Sequence, residues 1–226
     1  LMIYFNLMMN FESGYQYFDS LERAKHPVVS RYCRRELWVA KAQMLMALDR
    51  HAEAVDYLNR AMALKDENND PLSEIFCTAT AGITYMGVDT ISTRAESAFR
   101  RACRVAERSG LSNYWLYPQA IGRLADIYLQ QGKYEESISL CREAIRLCEK
   151  SGSYHGKLVV AEILTEAYRL LGLYDEAFRY CAVGTGEPAR AEVDNNLIGR
   201  FFIAKAEIHN NLNRPDSALL VLAQAD

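Results

Sequence analysis

Leu124-Ala125-Asp126-Ile127-Tyr128-Leu129-Gln130-Gln131-Gly132-Lys133-Tyr134-Glu135-Glu136-Ser137-Ile138-Ser139-Leu140-Cys141-Arg142-Glu143-Ala144 recurs, with its small, aromatic and turn positions in step, about every 41 residues along the chain. The next copy carries Leu164, Tyr168, Gly172, Tyr174, Ala177, Cys181 and Gly184. An earlier copy carries Ala42, Leu45, Asp49, Ala54, Leu58 and Ala61, and the last Ala206, His209, Asn213, Ala218, Leu222 and Ala225. A looser copy has Gly82, Tyr85, Ala95, Phe99 and Ala102. The small residue early in each second helix falls at Ala54, Ala95, Ser137, Ala177 and Ala218, at intervals of 41, 42, 40 and 41 residues. A repeat of this size is one helical hairpin of a solenoid, each hairpin burying its apolar face against the next.

Composition agrees. The chain has 226 residues and no Pro/Gly/Ser-rich linker dividing it, which suits a stack with no central core to enlarge. Half the residues are hydrophobic, and the formal net charge is -3. That charge supplies no electrostatic drive toward nucleic acid or an anionic membrane. No apolar run approaches the roughly 20 residues of a membrane span. The opening run Leu1 to Met9 lacks the basic leader and cleavage site of a signal peptide. In register, Phe5 matches Tyr128, Phe11 matches Tyr134, Gly14 takes the small position and Phe18 matches Cys141. The start thus reads as the back half of a first helix, and Ala225 falls where a second helix is still running. These two ends are read as those of a piece of a longer polypeptide. Six cysteines show no C-x-x-C pair or zinc spacing. Cys141 and Cys181 stand where Leu58, Phe99 and Leu222 stand in other copies, and Cys103 matches Met62 and Ile145, so they read as small buried hydrophobes. Unpaired thiols point to a reducing compartment, and the localisation expected is cytoplasmic, with the periplasm as the alternative.

The apolar spacing predicts helix pairs at 29–47 and 51–65, 71–87 and 92–109, 113–131 and 134–151, 154–171 and 174–185, and 190–211 and 215–226. Gly132 breaks one pair. Gly110 and Gly152 end second helices in positions suited to left-handed backbone. Pro71, Pro118, Pro188 and Pro215 fall near helix starts, where a missing N–H costs least. Ala42, Gly82, Ala125, Thr165 and Ala206 in the first helices let paired backbones approach. The turn from Gly87 to Thr93 is longer than the others and reads as an inserted, mobile loop.

This pattern resembles the tetratricopeptide repeat family over nearly the whole chain. Trp38 falls where that family often has Trp, and Gly132, Tyr134, Gly172 and Tyr174 match its Gly-x-Tyr turn. The third and sixth copies depart from it, with Asp89 or Thr90 and Asn213 where Gly is expected. The period also exceeds the family's usual length of about 34 residues, as in extended repeats of bacterial regulatory and scaffold members. The resemblance implies an all-α, right-handed superhelical solenoid of antiparallel helix pairs, one domain over 1–226. Its repeats would be 1–28 (truncated), 29–70, 71–111, 112–152, 153–188 and 189–226. First helices would line a concave groove that binds protein segments. Family geometry places Val39, Gln43, Met46, Phe76, Ile83 and Met86 in an oily early half of that groove. It places Arg123, Asp126, Glu162, Glu166, Arg169 and Glu207 in an acidic later half. A partner with basic and apolar residues suits such a groove; the alternative is that Met and Phe pack internally and the acids are merely solvated. Chaperone-tail binders use Lys and Asn as a carboxylate clamp; here Val39/Gln43 and Glu162/Glu166 stand in those places, so no such tail is expected to bind.

Catalysis has little to build on. His26, His51, His155 and His209 stand far apart, without an H-E-x-x-H or Cys–His setting, and His209 replaces an aromatic packing residue. Gly184-x-Gly186 follows a helix, not a strand, which removes a dinucleotide loop. Arg94, Arg101, Arg104 and Arg108 lie along one side of a second helix, with Arg100 nearby. A solvated convex face accounts for this stripe, an acidic partner surface is the sharper alternative, and no aromatic interleaving marks nucleic acid. The expectation is a non-catalytic protein-interaction module without cofactor or metal, within a longer regulatory protein. Two rivals stay open: a sensor domain of a bacterial transcriptional regulator or signalling kinase, and a self-assembling structural arm.

Overall fold

The computed structural model describes residues 10–24, 33–64, 70–89, 93–186 and 195–224. Over these residues the protein is all-α, in helix pairs. It divides into two compact units, residues 1–112 and 113–226. Unit 1 contains α1 (Phe11–Arg23), α2 (Arg34–Ala47), α3 (His51–Ala63), α4 (Pro71–Val88) and α5 (Thr93–Arg108). Unit 2 contains α6 (Leu116–Gln130), α7 (Tyr134–Ser151), α8 (Tyr154–Leu170), α9 (Tyr174–Thr185), α10 (Asn195–Asn211) and α11 (Pro215–Leu222). The pairs are α2/α3 and α4/α5 in unit 1, and α6/α7, α8/α9 and α10/α11 in unit 2; α1 is a second helix by register.

The small residues sit where the pairs touch. Ala42 and Ala54, Ala125 and Ser137, and Thr165 and Ala177 are all fully buried. At the α6/α7 crossing the Ser137 hydroxyl donates 2.7 Å to the Ala125 carbonyl, so its polar atom needs no water. Gly82 and Gly184 make the tightest approaches. A Cβ on Gly82 would stand 2.6 Å from the Phe99 ring, and one on Gly184 would stand 2.1 Å from the Phe201 ring. Phe201 in turn joins Leu158, Ala161 and Leu197 in a core shared by α8 and α10, with Val183 of α9 packed against it. Cys103, Cys141 and Cys181 are buried as their register predicts, Cys77 and Cys148 are buried too, Cys33 is only half-buried, and all six are free thiols.

Turns obey backbone chemistry rather than residue identity. Gly132 and Gly172 have φ of +74° and +72°. Asp49 and Asn213, in the same register, take φ of 61° and 55°. Asp and Asn tolerate this left-handed region because a short polar side chain lessens the Cβ penalty. The sixth copy is therefore a full member of the series despite lacking Gly. Gly110 and Gly152 close α5 and α7 with φ of +68°, as expected. Pro71 and Pro215 each open their helix, and the Asp70 carboxylate accepts from the Leu72 amide at 3.0 Å to cap α4. Two expectations change. Asn113-Tyr114-Trp115 forms turns, so α6 starts at Leu116, not 113. Gly87 remains helical and α4 runs on to Val88, so the third copy does not use a left-handed Gly. The expected mobile loop falls largely on 90–92, and 1–9, Pro188 and Ala225 likewise lie outside the described residues.

An ionic cluster that periodicity does not announce joins α1 to α2. Lys41 holds the position of Leu124 and Leu164, and its side chain is 0% exposed. Its ammonium meets Asp19 at 2.8 Å and Glu22 at 2.7 Å and lies 4.3 Å from the Tyr57 ring centre. The Trp38 indole N–H donates 2.7 Å to Glu22. Phe18, Leu37, Ala40 and Met44 form the apolar layer beside the cluster. Burial alone would push the Lys41 ammonium down, but bonds from Asp19, Glu22 and Tyr57 outweigh it and raise it. The bond from Lys41 lowers the Asp19 carboxyl; burial lifts Glu22, but Lys41 and Trp38 prevail and lower it. The carboxylates' contribution is thus present above their ordinary values of 3.8 and 4.5 and is lost as pH falls through the depressed ones. The ammonium's share is present below 10.5 and lost only as pH rises through its raised value.

Two stability tests follow from this geometry. Gly184→Ala should cost about 1–3 kcal/mol from the clash with Phe201. Gly132→Ala, with nothing within 4 Å of the new Cβ, should cost about 1 kcal/mol from its φ alone. Urea midpoints at constant slope check both, and equal losses would show that the α9–α10 contact relaxes freely. Lys41→Met should cost about 3 kcal/mol at neutral pH by removing the ammonium that both carboxylates share, leaving Asp19 only the exposed Arg23 and Glu22 only the neutral Trp38 N–H. That gap should narrow on acidification to about pH 3, where protonation removes the uncompensated charge; a gap unchanged by acid would refute the ionic account.

Candidate functional site

First helices present one face per repeat, and register brings the candidate residues onto it. In unit 1 that face belongs to α2 and α4. Val39 is 1% exposed, so it packs inside and cannot line a groove; this corrects the expectation for that residue. Gln43, Met46, Phe76 and Met86 are half-buried. Met46 lies under the turn, its sulfur 3.2 Å from Nδ1 of His51. Ile83 stands out at 46% exposed, on a helix whose other flank is buried.

In unit 2 the face belongs to α6, α8 and α10. The acids there are not bare. Arg169 pairs with Glu166 of its own helix at 2.6 Å and reaches Glu207 of α10 at 3.3 Å. Glu162 of α8 pairs with Arg200 of α10. Arg123 is exposed and Asp126 half-buried on α6, and both act electrostatically on Glu162. Three arginines thus stand among four carboxylates, and the later face is close to neutral rather than acidic. This corrects the expected acidic half. The cause is Arg200, whose place on the face follows from counting one repeat on from Val159 and two from Gln119. Ile203, 52% exposed, lies between Arg200 and Glu207 as the aliphatic member of the face.

A cleft of about 80 Å³ opens between α6 and α8, lined by Pro118, Gly122, Arg123, His155, Val159 and neighbours. Gly122 permits it: a Cβ there would come 3.2 Å from Val160. Burial raises the Glu162 carboxyl; Arg200 draws it down, Asp126 pushes it up again, and the net shift is upward. His209 packs, with its ring 5.0 Å from that of Phe178, and burial with nearby Lys205 and Arg214 lowers its pKa, favouring the neutral ring. Among the described residues no group of three or more His, Cys, Asp or Glu could hold a metal, and no helix is long and apolar enough to cross a membrane. Burial pushes the Cys181 thiol up to about 11 and Cys77 up to about 12, away from thiolate chemistry.

A family model described as Tetratricopeptide repeat matches residues 117–180, and a second of that description matches residues 36–68. No curated protein matches the chain in sequence. Among solved structures, BtubC (BKLC) from P. vanneervenii aligns with a TM-score of 0.78 at 15% identity, over 95% of this chain and 89% of that one. A STAND signal-transduction ATPase with a tetratricopeptide repeat sensor, from Pyrococcus horikoshii, gives 0.80 at 15% identity, over 100% of this chain but 34% of that one. The apo form of RapI gives 0.74 at 10% identity, over 95% and 58%. These likenesses establish the fold.

The ion-pair arrangement carries a pH test. Because the folded protein holds the Glu162 carboxyl above its ordinary 4.5, ionisation at neutral pH works against folding. Glu162→Gln should therefore melt higher than the parent at neutral pH, and the gain should vanish below that value, where both states are protonated. A neutral-pH loss in differential scanning calorimetry would mean that the Arg200 pair outweighs burial.

Proposed function

We propose that this chain, a tetratricopeptide-repeat protein, binds segments of other proteins along the faces of its first helices. Ile83 carries the reading. It stands where Asp126, Glu166 and Glu207 stand in later copies, yet it is aliphatic and 46% exposed. Flanked by half-buried Phe76 and Met86, it supplies the apolar centre around which an interface with a polar rim forms. Ile203, beside Arg200 and Glu207, is the counterpart in unit 2. The partner expected is an extended or helical segment with apolar anchors. Its charges near unit 2 should alternate, a base toward Asp126 and Glu207 and an acid toward Arg123.

A second reading is a sensor arm within a longer regulator. It is favoured by likeness to a protein whose tetratricopeptide repeats are a sensor, of which this chain covers 34%. A third, self-association, is favoured by Leu219, Leu220 and Leu222, exposed on α11 although Leu222 occupies the register of buried Cys141 and Cys181. Sedimentation over a concentration series tests the third directly.

For the first reading, affinity capture from lysate of the source cells should recover a partner with the parent chain. Ile83→Glu or Asp126→Lys/Glu166→Lys should weaken that partner about tenfold or more while melting like the parent. Full retention by all the variants would remove the first-helix faces from consideration.

A further inference from the structure

Outside those faces, unit 1 has a second groove of different chemistry. It runs between α3 and α5, the two second helices, with α4 beneath, and measures about 510 Å³. Its apolar lining is Met62 and Ala63 of α3, Ala98 of α5, and the ring of Tyr85 from α4. The Tyr85 hydroxyl donates 2.6 Å to Asn59, so this polar atom is satisfied and does not resist an apolar guest. Arg94 and Arg101, two helical turns apart, form one rim.

Charge along α5 is segregated. Its five arginines face two glutamates, whereas the chain as a whole carries -3. Arg101 is held by Glu74 of α4 at 2.7 Å and remains 41% exposed, so its guanidinium is fixed in place while still open to a further acceptor. Arg104 is exposed farther along the helix.

We propose that the α3–α5 groove docks an acidic protein segment, its carboxylates on Arg94 and Arg101 and one aliphatic side chain on Met62 and Ala98. The sign of the rim selects the charge. The apolar lining, with Glu96 and Glu107 interrupting the arginines, favours a peptide over a nucleic-acid backbone, which offers regular phosphates and no aliphatic side chain. This surface is separate from the first-helix faces, and the two readings can fail independently.

The test uses a fluorescein-labelled peptide Glu-Glu-Leu-Glu-Glu-Leu-Glu-Glu in fluorescence anisotropy with the whole chain. Binding should weaken with added salt and fall about tenfold or more in Arg94→Glu/Arg101→Gln. Ser97→Trp, which fills the groove without altering charge, should weaken it similarly, while Ile83→Glu should leave it unchanged. Circular dichroism establishes that each variant is folded. A peptide with Ser in place of both Leu should bind several-fold more weakly. No binding to the parent, equal binding of the Ser peptide, or equal binding by Ser97→Trp would overturn the proposal. Tighter binding of a thymidine oligonucleotide of matching charge would overturn it in favour of a polyanion surface.

Discussion

The closest approach between helices sets everything else in this protein. Ala42 and Ala54, Ala125 and Ser137, and Thr165 and Ala177 are fully buried within their pairs, and where the Ser137 hydroxyl reaches the Ala125 carbonyl only small side chains fit. Dispersion falls steeply with separation, so widening any such crossing would strip contacts from the larger residues on both sides. The same demand is visible between neighbouring pairs, where the absent side chain of Gly184 leaves the space that the Phe201 ring occupies. At Gly82 the partner is Phe99 of the same pair. Aromatic bulk on one helix is balanced by an absent side chain on the other, and total volume is conserved although the contributors alternate.

That constraint explains why the architecture was legible from sequence. Small residues spaced by 40 to 42 positions are a local pattern, readable without knowing what touches what. The turns were half legible. Gly132 and Gly172 advertise a left-handed backbone, whereas Asp49 and Asn213 hide it behind ordinary polar residues. Counting by register places Asp49 and Asn213 with these glycines, whereas Asp89, in the same register of the third copy, is extended at φ -151°. Gly87 is the converse case: a glycine near the expected place that stays helical, since α4 continues through it to Val88.

The ionic contacts were not legible, for a physical reason. Lys41 meets Asp19 and Glu22 across 22 and 19 residues, and neither helix signals by its own period that a lysine will replace the leucine of other copies. Arg200 likewise answers Glu162 from a separate helix. Apolar burial follows from spacing along one helix, but charge pairing depends on the rotation of two, which a single periodic pattern leaves open. The acids of unit 2 therefore looked unopposed in sequence, although Arg169 and Arg200 pair with three of them.

Scaffold and surface are consequently separable in this chain. The small positions stay Ala, Ser, Thr or Gly from copy to copy, whereas one position along, the series runs Gln43, Ile83, Asp126, Glu166 and Glu207. A residue facing outward from the pair crossing can change from amide to aliphatic to carboxylate without altering the distance between the helices. Recognition can therefore differ from one repeat to the next at no cost to the fold. The same reasoning applies to second helices, where α5 concentrates arginines that the packing of Ala95, Phe99 and Ala102 does not require. Packing accounts for the buried half of each helix. The uneven distribution of charge and aliphatic side chains over the other half is the part of the sequence that packing leaves to function.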